Sequence, residues 1–342
     1  MKRNFDKENN FYSKKFKFSY SSLNKLLFSP SLFYRDYILE EREIKTDKHL
    51  IEGKLIHLLL LQPEEFDKEF ILSPSKVPSD AVRRVLNEVK NNLPGILNSG
   101  DPEVEQNYEE PKLNDLDSQI ITALQNQNLY QSFKDDSKRL AKIQTPENEE
   151  YFKFLLESNK EIIDQDTLDR CKKSVEILKD NKAVSALFTH QVTDFEMDDV
   201  EIFNEAKLSC KLKGYDFGLK GIVDRYVIDN SKKEITIIDL KTTGKTIADF
   251  KDTIEYYNYW LQAAMYVKLV IENLTEELVD YKINFNFVVI DKYEQTYVFP
   301  VSKDTLNTWG SALVNILDVA NFHYTEKRYD LPYEYAKEQV IL

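Results

Sequence analysis

Residues 218–243 read GLKGIVDRYVIDNSKKEITIIDLKTT, and the period of this stretch decides the fold. Leu219 to Ile228 and Glu234 to Lys241 are two runs rich in β-branched residues, separated by Asp229-Asn230-Ser231. Such runs, bounded by turn residues, predict two antiparallel strands. Side chains two residues apart in a strand share a face. Asp239 and Lys241 therefore project together, while Leu240 points into the opposite layer. Asp239 closes the apolar run Ile235 to Ile238, where a lone charge is costly without a purpose. The preceding strand delivers Asp224 from an equally apolar segment.

This pairing has a chemical reading. A carboxylate can ligate a hard cation such as Mg²⁺. A lysine on the same face can hold or help deprotonate an attacking water, or stabilise charge on a phosphate. One D-x-K is common by chance and a surface ion pair would explain it. Asp224 taken alone could pair with Arg225 or a nearby lysine. Two neighbouring strands that each place a carboxylate where they can share a cation make the stronger case.

Upstream, residues 202–212 also alternate. Ala206, Leu208, Cys210 and Leu212 fall on one side and Glu205, Lys207, Ser209 and Lys211 on the other, which predicts a further strand joined through the turn GYDFG at 214–218. Glu205 is thereby a further candidate ligand beside Asp224. Downstream, a helix is predicted over roughly 254–273, then strands near 281–290 and 294–301, then a helix near 303–320. Three antiparallel strands, a helix, more strands and a helix, behind a helical N-terminal half, define an α/β or α+β domain around a mixed central sheet flanked by helices.

The N-terminal half follows helical spacing. Residues 1–17 are polar and expected to be a mobile tail, with Lys14, Lys15 and Lys17 free to touch phosphate. Residues 18–40 read as a short helix capped at Ser19 to Ser22, a break at Pro30, and a second helix through Phe33 to Ile38. KHLIEGKLIHLLLL (48–61) is a helix that places Gly53 and His57, four residues apart, on one face. A histidine there is most simply a core residue. Residues 75–190 are charge-rich, punctuated by prolines, and read as a helical insertion closed by a long helix around 165–188. The expected organisation is thus a single domain over 18–342 with that insertion and a core near 200–300.

Composition sets the outer limits. A hydrophobic fraction of 42% supports a sizeable core. No apolar run approaches the length that spans a bilayer, and the basic N-terminus has no apolar segment behind it, so the expectation is a cytoplasmic protein, in the host cytoplasm if the gene is viral, without membrane contact. Two isolated cysteines, Cys171 and Cys210, form neither a zinc site nor an iron–sulfur cluster. The net charge of −13 counts against tight nucleic-acid binding, unless a local basic channel is hidden within it, and predicts modest, salt-sensitive affinity.

The order G-I-V-D at 221–224, D-L-K-T-T at 239–243 and Gln262-Ala-Ala-Met-Tyr266 resembles the core of the PD-(D/E)XK nucleases, in particular the RecB-like group. There a Q-x-x-x-Y pair lies on the helix after the D-x-K strand. EGKLIHLLLLQPEEFD (52–67) is similar to the N-terminal motif of RecE-type (exodeoxyribonuclease VIII-like) exonucleases and their phage relatives, and SYSSLNKLLFSPSLFYRDY (19–37) resembles their first helical segment. The proline of the family name is absent, since Asp224 follows Gly221-Ile222-Val223.

The resemblance implies a restriction-endonuclease-like core and Mg²⁺, with Mn²⁺ as a substitute. The ion would be held by Asp224, Asp239, Glu205, His57 and the carbonyl of Leu240. Lys241 would position the water, and Gln262 and Tyr266 would flank the site; Gly53 would let its helix approach the sheet closely. It further implies an exonuclease acting 5′ to 3′ on linear duplex DNA in recombination or repair, a ring-like homo-oligomer, and a single-strand annealing recombinase as partner. The alternatives are an endonuclease or single-strand nuclease of repair or defence, or an inactive DNA-binding module of the same fold.

Overall fold

The computed structural model describes residues 4–42, 48–74, 76–93, 111–156, 160–188 and 199–337. Its strands in chain order are β1 (Lys17–Phe18), β2 (Phe70–Leu72), β3 (Glu161–Ile163), β4 (Val200–Lys211), β5 (Gly218–Asp229), β6 (Glu234–Thr243), β7 (Lys282–Asp291) and β8 (Thr296–Val301). The helices that position the site are α1 (Phe5–Ser13), α2 (Tyr20–Phe28), α3 (Lys48–Leu61), α4 (Phe250–Tyr256), α5 (Tyr259–Glu272) and α6 (Lys303–Glu326). The chain divides into two compact units, residues 64–170 and the remainder.

The larger unit is built on a six-stranded mixed sheet. The three strands β4, β5 and β6 are antiparallel neighbours, as their alternation predicts. β7 then lies parallel to β6, from Glu234↔Lys282 to Thr243↔Asp291, because α4 and α5 carry the chain back to the same end of the sheet. β8 returns antiparallel on β7. Helices flank this mixed sheet, which is the α/β arrangement expected.

β5 is the pivot. β4 runs along one of its edges, from Lys211↔Gly218 to Val200↔Asp229. Its other edge is shared. β1 pairs in parallel at Gly218 and Leu219, whereas β6 pairs only over Arg225 to Asp229. Residues 220–224 thus lie in a fork between β1 and β6, with Asp224 where the β6 ladder begins.

Residues 5–13 correct one expectation, for they form helix α1 rather than a mobile tail. Asn4 caps it by accepting from the Lys7 amide at 3.2 Å. Phe11 is buried against Phe16, Phe33 and Tyr324, and the Tyr34 hydroxyl donates to the buried Glu8 at 2.5 Å. Each buried aromatic contributes about 1.5–3 kcal/mol, enough to offset the ordering of a polar segment around it. Residues 1–3 of the expected tail lie outside the described residues.

Ser19 caps α2 reciprocally with Ser22: the Ser22 amide donates to Ser19 Oγ at 3.3 Å and the Ser19 amide to Ser22 Oγ at 2.8 Å. The serines are caps, as the sequence suggests.

Two long helices of the sequence reading are each divided. The expected helix over 254–273 becomes α4 and α5, separated by Asn258 in the left-handed conformation (φ 57°). The expected helix over 165–188 becomes Gln165–Asp180 and Lys182–Phe188. Here Asn181 Oδ1 accepts from the amides of Ala183 and Val184 and so starts a new helix. Asparagine explains both breaks, as it caps helices and tolerates left-handed backbone. α6 runs on past residue 320 to Glu326.

The core of the larger unit has two parts. Val223, Ile235, Ile237, Phe285, Phe287 and Val289 pack from the sheet against Phe250, Ala263 and Val270. On the other side Leu261, Met265 and Leu269 meet Leu313 and Leu317 of α6 and the N-terminal aromatics Phe11, Phe18 and Phe33. The unit formed by 64–170 has its own core of Val85, Leu86, Val89, Ile120, Leu124, Ile143 and Phe152, with β2 and β3 paired in parallel. Residues 75, 94–110, 157–159 and 189–190 of the expected insertion lie outside the described residues. Among the described residues no helix is long and apolar enough to cross a membrane.

Candidate metal and nucleic-acid site

The fork in the sheet is filled by a carboxylate. The register that pairs Asn204 with Arg225 and Ala206 with Val223 places Glu205 directly opposite Asp224. Like charges opposite one another across two strands repel. Two features accommodate them. Asp224 Oδ2 accepts from the Leu240 amide at 2.8 Å, which satisfies a backbone donor where β5 and β6 part. Glu205 lies at φ 46°, in the left-handed region, within an otherwise extended strand. A non-glycine residue held there carries strain of about 1–2 kcal/mol, a feature concentrated at functional sites.

His57 closes the group. Its Nδ1 lies 3.6 Å from Asp224 Oδ2 and 3.8 Å from Glu205 Oε1. One ligand atom from each of the three residues fits within 4.8 Å of the others. Burial alone would lower the imidazole pKa, but Asp224 and Glu205 outweigh it and raise the value.

Gly53 makes this approach possible. A Cβ built on Gly53 would stand 3.0 Å from Thr242 Oγ1, so α3 packs directly on β6 one turn before His57. The Asn204 side chain also donates to the Leu61 carbonyl at 3.0 Å, tying the end of α3 to the strand that carries Glu205.

Asp239 is fully buried, and Lys241 Nζ lies 2.5 Å from its Oδ2. Apart from that ammonium, neither oxygen of Asp239 has a hydrogen-bond donor among the described residues. Burial, reinforced by Asp224, pushes the Asp239 carboxyl above the ordinary carboxylate range, with Lys241 opposing the shift. For Lys241 burial acts downward, but Asp239 and Asp224 outweigh it and raise the ammonium pKa. Arg225 does not neutralise Asp224. It bonds Asn204 Oδ1 at 2.8 Å and the Phe188 carbonyl at 3.0 Å instead.

Gln262 and Tyr266 share a face of α5, and the Gln262 amide donates to the Tyr266 hydroxyl at 2.8 Å. Burial, then the charges of Asp224 and Asp239, raise the Tyr266 pKa well above its ordinary value, so its hydroxyl stays protonated beside the carboxylates. Gly221 lets α5 descend onto β5 here, where a Cβ would meet Leu269 Cδ1 at 2.9 Å. The two residues line a cavity of about 630 Å³ shared with Lys17, Lys207, Lys220, Ser19 and Ser21.

The structure thus brings His57, Glu205 and Asp224 into one cluster, pairs Asp239 with Lys241, and places Gln262 and Tyr266 beside a lysine-lined cavity. The oxygen-rich set with one imidazole fits a divalent cation, and a buried carboxylate short of donors is a group such an ion would satisfy. One participant escaped the sequence reading. Tyr259 takes the Lys241 ammonium over its ring at 4.9 Å. The signal was the aromatic run Tyr256-Tyr257-Asn258-Tyr259-Trp260 just before Gln262, which resembles ordinary helix core.

A family model for the PD-(D/E)XK nuclease superfamily matches residues 17–308, most of the chain. The protein is a member of the PD-(D/E)XK nuclease superfamily. Among solved structures, it is similar to a protein from Eubacterium rectale named provisionally as an exonuclease, at 10% identity and a TM-score of 0.42, over 96% of this chain and 88% of that one. It is also similar to a protein named SSO0001, at 12% identity and a TM-score of 0.26, over 76% of this chain and 91% of that one. No curated protein matches the chain by sequence.

Proposed function

We propose that the protein is a metal-dependent deoxyribonuclease of RecE type that hydrolyses linear double-stranded DNA from its ends. The observation that carries this reading is the buried Asp239–Lys241 pair beside the His57, Glu205 and Asp224 cluster. Its order of motifs supports the finer assignment, since the 19–37 and 52–67 segments, the D-x-K strand and the Q-x-x-x-Y helix follow one another as in the RecE-like enzymes.

In this reading Asp224, Glu205 and His57, with Asp239 and the carbonyl of Leu240, hold Mg²⁺ or Mn²⁺. When bound, the ion lowers the pKa of a water and offsets charge on the scissile phosphate. Lys241, held in place by Asp239 and Tyr259, orients the attacking water or a phosphate oxygen. Gln262 and Tyr266 donate hydrogen bonds to the backbone of the cleaved strand. Lys17, Lys207 and Lys220 supply the local positive charge that the net charge of −13 conceals. The RecE-like resemblance extends the proposal to 5′-to-3′ polarity, a ring-like homo-oligomer around the duplex, and supply of single strands to an annealing recombinase.

The test is release of nucleotides from end-labelled linear duplex in Mg²⁺ or Mn²⁺, with closed-circular plasmid as control. Wild-type protein is run beside Asp239→Ala and Lys241→Ala. Degradation of the linear DNA alone is expected, with each variant slower by about 10²–10³-fold, the loss of a few kcal/mol of transition-state stabilisation. Cutting of the circle would replace the exonuclease reading with an endonuclease. A folded wild type that cleaves nothing would leave a DNA-binding module.

A further inference from the structure

A row of tyrosines leads outward from the Asp239–Lys241 pair. Lys241 Nζ sits over the Tyr259 ring at 4.9 Å. Tyr257 stacks on Tyr259, with centroids 5.5 Å apart and planes 28° from parallel. Tyr256 meets Tyr257 edge to face at 4.8 Å. Exposure rises along the row. The Lys241 side chain is 12% exposed, Tyr257 44% and Tyr256 73%.

The backbone beneath these rings is fixed although the rings are not buried. Asn258, in its left-handed conformation, donates from its side chain to Asn24 Oδ1 at 2.7 Å and accepts from Trp260 Nε1 at 3.1 Å. Asn24 Nδ2 reaches the Tyr257 carbonyl at 3.4 Å, and the Tyr20 hydroxyl bonds the same carbonyl. A turn anchored by α2, which leaves Tyr256 and Tyr257 largely open to water, gains little for folding from the exposed parts of those rings. Its geometry suits a ligand with flat apolar faces of its own. Lys245 Nζ lies 5.0 Å from the Tyr256 ring and adds positive charge beside the row.

We propose that Tyr256 and Tyr257 form a stacking platform for an unpaired nucleobase next to the phosphate contacted by Lys241. The proposal rests on the nuclease reading and narrows its substrate. A row of aromatic rings with a cationic side chain at each end suits a single strand, whose bases stack and whose phosphates seek charge. A paired base inside a duplex has both faces covered by its neighbours. The platform therefore serves a frayed end or a single-stranded overhang, and favours such ends over blunt ones.

The experiment measures binding of a short fluorescent single strand and of a blunt duplex of the same sequence, by anisotropy in EDTA. The proteins are wild type, the double variants Tyr256→Ala/Tyr257→Ala and Tyr256→Phe/Tyr257→Phe, and the strands include one with abasic sites. The alanine pair is expected to weaken single-strand binding by about 5- to 100-fold, as loss of base stacking does, and blunt-duplex binding far less. The phenylalanine pair should bind as wild type does. An abasic strand should bind wild type as poorly as the intact strand binds the alanine pair. In Mg²⁺ the alanine pair should raise the KM for a duplex with a single-stranded overhang more than that for the blunt duplex.

Equal single-strand affinity in wild type and the alanine pair would overturn the platform while leaving the nuclease intact. So would equal loss in the phenylalanine pair, which would point to the hydroxyls instead. A folded wild type that neither binds nor cleaves DNA would overturn both readings together.

Discussion

At the scale of the residue, Glu205 is the position where the proposed metal-binding role and stability conflict. Its φ of 46° and its place opposite Asp224 both cost stability in the metal-free protein. Glycine at this position removes the left-handed penalty of about 1–2 kcal/mol and adds about 0.5–1 kcal/mol of chain entropy cost. It also removes one of two facing carboxylates. Glu205→Gly is therefore expected to be more stable than wild type by about 1 kcal/mol in EDTA, with nuclease activity lost. Urea unfolding checks this, and a lower midpoint for the variant would mean that the strand is not strained there. The sequence offers Glu205 as a candidate ligand on an alternating strand but not its left-handed conformation, because backbone strain leaves no mark in residue type. Asp224, Asp239 and Lys241 were legible because charged residues inside apolar runs are conspicuous.

At the scale of the element, two packings set the site. The first is α3 on β6. Gly53→Ala places a methyl 3.0 Å from Thr242 Oγ1, so helix or strand must give by a few tenths of an ångström and His57 moves with the helix. Activity is expected to fall several-fold, and Thr242→Ala in the same chain should restore it. A double-mutant cycle should show coupling of about 0.5–3 kcal/mol; additive effects would separate Gly53 from Thr242. The second is the β5–β6 turn. Asp229 accepts from the Ser231 hydroxyl at 2.6 Å, the Lys232 amide at 2.9 Å and Lys232 Nζ at 2.6 Å. Burial would raise its pKa, but these donors, Lys232 foremost, lower it to about 2. A depressed carboxylate stabilises the fold above its unfolded value of 3.8 and loses that contribution as the pH falls through about 2. Wild type should exceed Asp229→Asn in stability near neutral pH, and the two should converge across that acid window in pH-dependent unfolding. Parallel curves at all pH values would show that the turn contributes nothing through charge. The turn itself was plain in Asp229-Asn230-Ser231, whereas the division at Asn258 was not. An asparagine in an aromatic run fits a helix surface until Asn24 and Tyr20 are seen to hold the break.

At the scale of the whole molecule, the two units have separate cores. Phe152 is fully buried within residues 64–170. Phe152→Ala should cost that unit about 3–5 kcal/mol. Calorimetry should then show one transition lowered while the transition of the sheet-bearing unit stays in place, as expected for units that fold around their own cores. A single transition shifted as a whole would show that the two unfold together. The sequence marks this region as charge-rich and helical but places its edges at about 75 and 190, whereas the compact unit spans 64–170. Contact density rather than composition locates such an edge.

The sequence by itself determined the strand order around Asp224 and Asp239, the mixed α/β class, and the facing of Gly53 with His57 and of Gln262 with Tyr266. These are local matters: strand and helix periods fix which side chains share a face, and buried charges stand out among apolar neighbours. Tertiary structure alone decided that α1 joins the core, that β1 and β6 share one edge of β5 to open the fork at Asp224, that Glu205 is turned into the left-handed region, and that Tyr259 stands under Lys241. Each of these depends on partners far away in the chain, such as Phe11 with Tyr324 or Tyr20 with Tyr257, and contacts at that separation form only when the chain is folded.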